Sequence, residues 1–157
     1  MNQQELIEKI KNELGDKILE IKSPSARRIF LTTSTENLVD VIKKLKDCFS
    51  FHHLSTISGV DNLKEFEILY HLANNIASLT VRVSISRENP VVPTICSVIP
   101  GAILYEREIQ DLLGIKVDGI PDPRRLVLPD DWPEGNYPLR KDWKYQPPEE
   151  KIPGEKK

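Results

Sequence analysis

The segments 65–73 and 78–86 constrain the fold most, because apolar and polar residues alternate along both of them. The alternating apolar residues are Phe66, Ile68, Tyr70 and Leu72 in the first segment, and Leu79, Val81, Val83 and Ile85 in the second. Successive side chains of a β-strand point to opposite faces, so this pattern is typical of strands with one buried face. With Asn74 and Asn75 as a turn between them, the two segments predict neighbouring antiparallel strands.

Three segments are predicted to form helices, and the first two have amphipathic spacing. In Gln3 to Leu14 the apolar residues are Leu6, Ile7, Ile10 and Leu14, and Gly15 follows as a cap. Thr33 and Glu36 form a capping-box pattern before the second helix, whose apolar stripe is Leu38, Val41, Ile42, Leu45 and Cys48. Gly101 to Leu113 forms the third helix, and Gly114 ends it.

Three more strands complete the predicted domain. Lys17 to Ile21 and Arg28 to Thr32 flank a Ser23-Pro24-Ser25 turn and read as a hairpin, and His53 to Val60 precedes the alternating pair. The element order is then α-β-β-α-β-β-β-α. Because the strands follow one another as hairpins, we expect an α+β fold with a largely antiparallel sheet and helices packed on one face.

The composition of the chain changes near residue 120. Eight of the twelve prolines and both tryptophans lie beyond that point. Proline removes backbone donors and breaks regular ladders, whereas its fixed dihedral reduces the entropy lost on docking. We therefore predict a globular domain at 1–118 and an extended, partner-binding tail at 119–157, which would lie along another protein.

The overall composition limits the functional classes. The formal net charge is -2, which gives no general attraction to nucleic acid or to anionic lipid. No apolar run is long enough to span a bilayer, and the first residues do not resemble a secretory signal, so we expect a soluble, cytosolic chain. Cys48 and Cys96 lack the spacing of a metal or cluster site, and we expect both to be buried. The three histidines are expected to be structural or exposed.

The third helix carries the first candidate site, which consists of Glu106, Arg107, Glu108 and Asp111. Residues three and four apart are neighbours on a helix surface, so these side chains form one charged group. Three interpretations stay open: a solvated helix face, a site for a partner protein, and a carboxylate pair for acid–base catalysis. No nucleophile with a nearby base supports the catalytic interpretation.

The tail carries the other candidate residues for partner binding. They are Asp122, Arg124, Arg125 and Trp132, followed by Leu139, Arg140, Lys141, Asp142 and Trp143. Arginine binds carboxylates through a planar fork, and tryptophan often dominates the energy of interfaces. The same arginines could bind phosphate in an RNA-binding module. The interleaved acids Asp130, Asp131 and Glu134 would repel a polyanion, so we expect no nucleic-acid partner.

These motifs together resemble the signature of one family. They are Glu106-Arg107-Glu108-x-x-Asp111-x-x-Gly114, Pro121-Asp122-Pro123-Arg124-Arg125-Leu126, Asp130-Asp131-Trp132 and Pro138-Leu139-Arg140-Lys141-Asp142. Their order closely resembles the 30 kDa subunit family of complex I, also called its C subunit, with counterparts in membrane-bound nickel–iron hydrogenases. Upstream, Ser58-Gly59-Val60-Asp61 and Tyr70-His71-Leu72 are similar to the sheet region of the same family.

The resemblance extends from about residue 30 to 145, and it departs from the complex I pattern at one position. Ile120 stands where that pattern has histidine. The difference favours the hydrogenase-related branch of the family.

The resemblance implies a function that spacing alone does not. The family is similar in fold to the α+β domain predicted above, and it carries no flavin, iron–sulfur cluster or nickel of its own. The resemblance implies that the chain is a non-catalytic scaffold in an ion-translocating oxidoreductase, at the cytoplasmic face of the cell membrane. The implied partners are a large, hydrogenase-like subunit and a cluster-bearing small subunit, with the membrane arm reached through them. The complex is expected to carry iron–sulfur clusters, with nickel–iron as an open alternative.

Overall fold

The computed structural model describes residues 2–145, which form three helices, two short 3-10 turns and seven strands. The helices are α1 (Gln3–Leu14), α2 (Leu38–Phe49) and α3 (Ile103–Leu113). The 3-10 turns are Gly15–Lys17 and Pro100–Ala102. The strands are β1 (Glu20–Ser25), β2 (Arg28–Thr32), β3 (His53–Asp61), β4 (Glu65–Ala73), β5 (Ser78–Ser86), β6 (Val91–Pro93) and β7 (Lys116–Asp118).

The main sheet has five strands in the order β1-β2-β5-β4-β3. Three of its four pairings are antiparallel, and the predicted alternating pair is in register, with Tyr70 opposite Val81. The pairing of β2 with β5 is parallel and places Leu31 beside Val81. The α+β fold with a largely antiparallel sheet is therefore confirmed. The small parallel pair of β6 and β7 was not predicted from the sequence.

The core lies between one face of the sheet and the helices. The alternating residues of β4 and β5 are buried there, together with the apolar stripes of α1 and α2. The predicted strand faces and helix stripes therefore meet in one core, because each element has a single apolar side to cover. None of the helices in residues 2–145 is long and apolar enough to cross a membrane.

Two local predictions were wrong at element ends. The first strand begins at Glu20 and continues through Ser25, so the predicted Ser23-Pro24-Ser25 turn lies within the strand. The capping box of Thr33 and Glu36 does not form. Instead α2 begins at Leu38, and the buried hydroxyl of Thr33 donates to the Lys17 carbonyl at 2.7 Å. The hydroxyl thus bonds to the end of the 3-10 turn that follows α1, which a local pattern around Thr33 cannot predict.

The two cysteines differ in their environments. Cys96 is buried, as predicted, whereas Cys48 is exposed. At the end of α2 the core position belongs to Phe49, which is 8% exposed and lies four residues after Leu45. Cys48 lies three residues after Leu45, and the larger apolar side chain takes the buried position.

Candidate partner-binding surface

Glu106 projects from α3 into the interior of its own domain, where it is 1% exposed. Its carboxylate accepts from the Thr94 hydroxyl at 2.6 Å, the Ile95 N–H at 2.7 Å and the Cys96 thiol at 3.2 Å. These donors precede α3 in the chain, so Glu106 stabilises the turn that leads into the helix. A solvated position for Glu106 is therefore wrong, because its side chain lies inside its own domain.

Arg107 binds the residues that follow β7. We call residues 119–145 the tail segment. The Arg107 guanidinium donates to the Arg124 and Arg125 carbonyls, each at 2.7 Å, and lies 3.4 Å from the Asp122 carboxylate. Asp122 also accepts two side-chain hydrogen bonds from Arg124, which lower the pKa of Asp122 well below its usual range. This cluster fixes the first turn of the tail segment against α3.

Asp111 holds the next turn of the tail segment. One carboxylate oxygen accepts from the backbone N–H groups of Leu126, Val127 and Leu128 at 2.9, 2.9 and 3.1 Å. Burial alone would raise the pKa of Asp111, but these three donors outweigh it and lower the pKa. Because the backbone turns inward to Asp111, Leu126 and Val127 present side chains that are 42% and 53% exposed.

Arg140 holds the later part of the tail segment at the end of α3. Its Nε–H donates to the Leu113 carbonyl at 2.7 Å, and its guanidinium stacks 5.1 Å from the Phe66 ring centroid and 4.6 Å from that of Tyr137. The adjacent Leu139 N–H donates to the Leu112 carbonyl at 3.0 Å. These bonds satisfy carbonyls that a helix leaves free at its C-terminus.

Asp61, at the end of β3, also fixes the tail segment. It accepts from Arg87 at 3.1 and 3.2 Å and from the Lys141 N–H at 3.0 Å, while Arg87 also pairs with Asp142 at 2.7 Å. Burial would raise the pKa of Asp61, but the hydrogen bonds from Arg87, Leu63 and Lys141 lower it to about 2. The sequence pointed to Asp61 only through the family resemblance, and no motif pointed to Arg87.

The aromatic residues of the tail segment form one cluster. The rings of Trp132 and Trp143 lie 6.3 Å apart, and Tyr145 lies 6.3 Å beyond Trp143. The Trp132 indole donates to the Asn136 carbonyl at 2.9 Å. Both tryptophans are half-buried, whereas Tyr145 is 68% exposed. Residues 146–157 of the predicted tail lie outside the described residues.

The structure therefore divides the predicted partner-binding residues into two groups. The first group binds other elements of the fold through a charged side chain or, at Lys141, through the backbone, and its members are Glu106, Arg107, Asp111, Asp122, Arg140, Lys141 and Asp142. The second group has exposed or half-buried side chains, and those of Arg124, Arg125 and Trp132 bond to nearby residues of the tail segment. Its members are Glu108, Arg124, Arg125, Trp132, Leu139 and Trp143. Glu106 and Asp111 bind different loops, so they do not form a catalytic pair. Among residues 2–145 no cluster of three His, Cys, Asp or Glu could hold a metal ion.

The fold and these contacts define a class of protein: a small α+β domain whose proline-rich segment is bound across its own last helix. The chain belongs to the family described as "Respiratory-chain NADH dehydrogenase, 30 Kd subunit", whose sequence model matches residues 31–149. The family resemblance drawn from the motifs is thus confirmed.

Relatives of two kinds support this assignment. The C subunit of NADH-quinone oxidoreductase from Bartonella bacilliformis is 38% identical over 88% of this chain and 69% of its own length. Membrane-bound hydrogenase subunit beta of Pyrococcus furiosus is 34% identical over 78% of this chain and 73% of its own length. Because both kinds match, the hydrogenase-related branch stays a prediction.

A solved structure shares the fold. A chain of the membrane-bound sulfane sulfur reductase, an archaeal respiratory membrane complex, superimposes with a TM-score of 0.79 at 26% identity. The similarity covers 90% of this chain and 85% of that one.

Proposed function

We propose that this chain is a non-catalytic scaffold subunit of a membrane-associated, ion-translocating oxidoreductase, and that its tail segment braces the large catalytic subunit. Relatives named as the C subunit of NADH-quinone oxidoreductase and as a subunit of a membrane-bound hydrogenase support this role. The chain would lie at the cytoplasmic face of the membrane through its partners. Iron–sulfur clusters, and nickel–iron in a hydrogenase, would belong to other subunits.

The observation that carries the proposal is the apolar surface of the tail segment. Leu126, Val127 and Leu139 are 42%, 53% and 56% exposed, although the backbone that bears them is bonded to α3. Exposed apolar groups on a fixed backbone are typical of protein interfaces. Because the backbone is already held, docking would order fewer residues and lose less entropy.

The charges of the tail segment support a protein partner over RNA. Arg124 pairs with Asp122, Arg125 donates to the Pro129 carbonyl, and Arg140 donates to the Leu113 carbonyl. The guanidinium groups that would bind phosphate thus already have hydrogen-bond partners within the chain. A free-standing enzyme gains no support either, because Glu106 and Asp111 are each occupied by three donors.

A capture experiment tests the proposal. The tagged chain is recovered with mild detergent from the membranes of its source organism, and the bound proteins are identified by mass. We compare the wild type with the double substitution Leu126→Asp and Val127→Asp. The matched control is Leu19→Asp, because Leu19 is 68% exposed and lies outside the tail segment.

We expect the wild type and the control to recover a large hydrogenase-like subunit and a cluster-bearing small subunit. The double variant should keep its circular dichroism spectrum and lose most of the large subunit, because two carboxylates would have to enter an apolar contact. Undiminished recovery by the double variant would refute the tail-segment brace. Recovery of no oxidoreductase subunit by the wild type would refute the scaffold role itself.

A further inference from the structure

The outer edge of β3 is open to a partner strand. β3 is an edge strand of nine residues, and in the part of the chain that the structure describes no strand pairs with its outer side. An edge strand presents unpaired N–H and C=O groups, which can pair with an added strand. At the start of this edge the Tyr105 hydroxyl donates to the Ser55 carbonyl at 3.2 Å, beside a shift in register between Leu54 and Thr56. The open stretch is therefore 56–60.

A groove of about 220 Å³ follows this stretch. It is lined on one side by residues 56–59, and on the other by Glu108, Ile109, Leu112, Leu113 and Leu139. Adjacent residues of a strand point to opposite faces, so a groove along one face would touch only every second residue. Because this groove touches four consecutive residues, it reaches the backbone of β3 as well as its side chains.

The walls of the groove specify the chemistry of the occupant. Ile109, Leu112 and Leu139 make one wall apolar, whereas Glu108 adds a carboxylate that has no ion-pair partner among residues 2–145. An extended segment with an aliphatic side chain next to lysine or arginine would match both. Leu139 also belongs to the apolar surface of the tail segment, so the groove continues the surface proposed to meet the large subunit.

We propose that β3 accepts an extended apolar and basic segment of the braced subunit as a sixth strand of the sheet. The inference rests on the proposed function, because it takes the occupant from the same partner. Main-chain hydrogen bonds would supply the pairing, and the side chains that meet Glu108 and Leu139 would supply the selectivity.

Residue-resolved hydrogen exchange tests the proposal, because it reads backbone pairing directly. In the isolated chain, amides along 56–60 should alternate between slow exchange, where they face β4, and fast exchange, where they face out. In the complex captured from membranes, the fast amides should slow by about tenfold or more. If the captured complex contains the large subunit and these amides still exchange fast, the added strand is refuted while the scaffold role stands.

A charge reversal tests the chemistry of the segment. Glu108→Lys should reduce recovery of the large subunit several-fold, since the new lysine would lie beside the lysine or arginine of the proposed segment and repel it. Asp47→Lys, at an exposed position of α2 outside the groove, is the matched control. Equal recovery with both variants would refute a basic segment in the groove. Loss only with Glu108→Lys, together with the slowed amides, would support it.

Discussion

The guanidinium of Arg140 donates to the main-chain carbonyl of Leu113 over 2.7 Å, so the tail segment closes the C-terminus of α3. A cation in this position also interacts favourably with the helix dipole. The rings of Phe66 and Tyr137 pack against the same guanidinium. The Arg140 side chain therefore links the sheet, the last helix and the tail segment.

Replacing Arg140 with alanine should destabilise the protein by about 2 kcal/mol, because a charge-assisted hydrogen bond and two aromatic contacts are lost. Urea unfolding followed by circular dichroism gives the free energy of unfolding. Arg124→Ala is the matched control: Arg124 is 80% exposed, and its removal should change stability little. Equal effects of the two substitutions would show that Arg140 does not couple the elements.

Replacing Asp111 with alanine should release the turn at 126–128. Three backbone N–H groups lose their acceptor, which should cost about 1–3 kcal/mol. We expect amides 126–128 to exchange faster while those of β4 and β5 remain protected. The exposed Asp47→Ala serves as the control. Unchanged exchange at 126–128 would mean that Asp111 does not hold this turn.

Replacing Gly114 with alanine should destabilise the end of α3. Gly114 has a φ of +68°, and an added Cβ would lie 2.4 Å from the Tyr137 ring. Left-handed strain and displacement of Tyr137 should together cost about 1–3 kcal/mol. Gly101→Ala is the control, because nothing lies within 4 Å of its added Cβ. Thermal melts of both variants would show the difference, and equal melting temperatures would contradict it.

Acid should weaken the contact between Asp61 and the tail segment. The folded-state pKa of Asp61 is lowered to about 2 from the usual 3.8, so its contribution is present above the unfolded pKa and is lost as pH falls through 2. The contribution is on the order of 2 kcal/mol at neutral pH. Unfolding measured between pH 6 and pH 2 should show a shallower pH dependence for Asp61→Asn than for the wild type. Parallel curves would contradict this prediction.

The two thiols should react at different rates. Cys48 is exposed, whereas burial raises the pKa of the Cys96 thiol to about 11, helped by the Glu106 carboxylate beside it. A thiol reagent at pH 8 should therefore modify Cys48 quickly and Cys96 only on unfolding. Cys48→Ser should remove the fast phase. A remaining fast phase in that variant would show that Cys96 is accessible.

Sequence patterns were sufficient for β4, β5, α1 and α2, since each depends on a local period of apolar residues such as Phe66 to Leu72. The third helix was predicted with its end at Gly114. The family was also evident, because the ordered motifs of α3 and the tail segment are specific as a set. The period also predicted the buried faces of α1, α2, β4 and β5, apart from the end of α2, but it did not predict that α3 buries Glu106 and Asp111.

Tertiary structure alone decided the parallel pairing of β2 with β5 and the course of the tail segment. Residues 28–32 and 78–82 are separated by a helix and two strands, and no local pattern specifies which strands become neighbours. The partners of Asp111 are backbone N–H groups, and those of Arg107 and Arg140 are backbone carbonyls. Nearly every residue type supplies these groups, so their positions are set only when the chain folds back on itself.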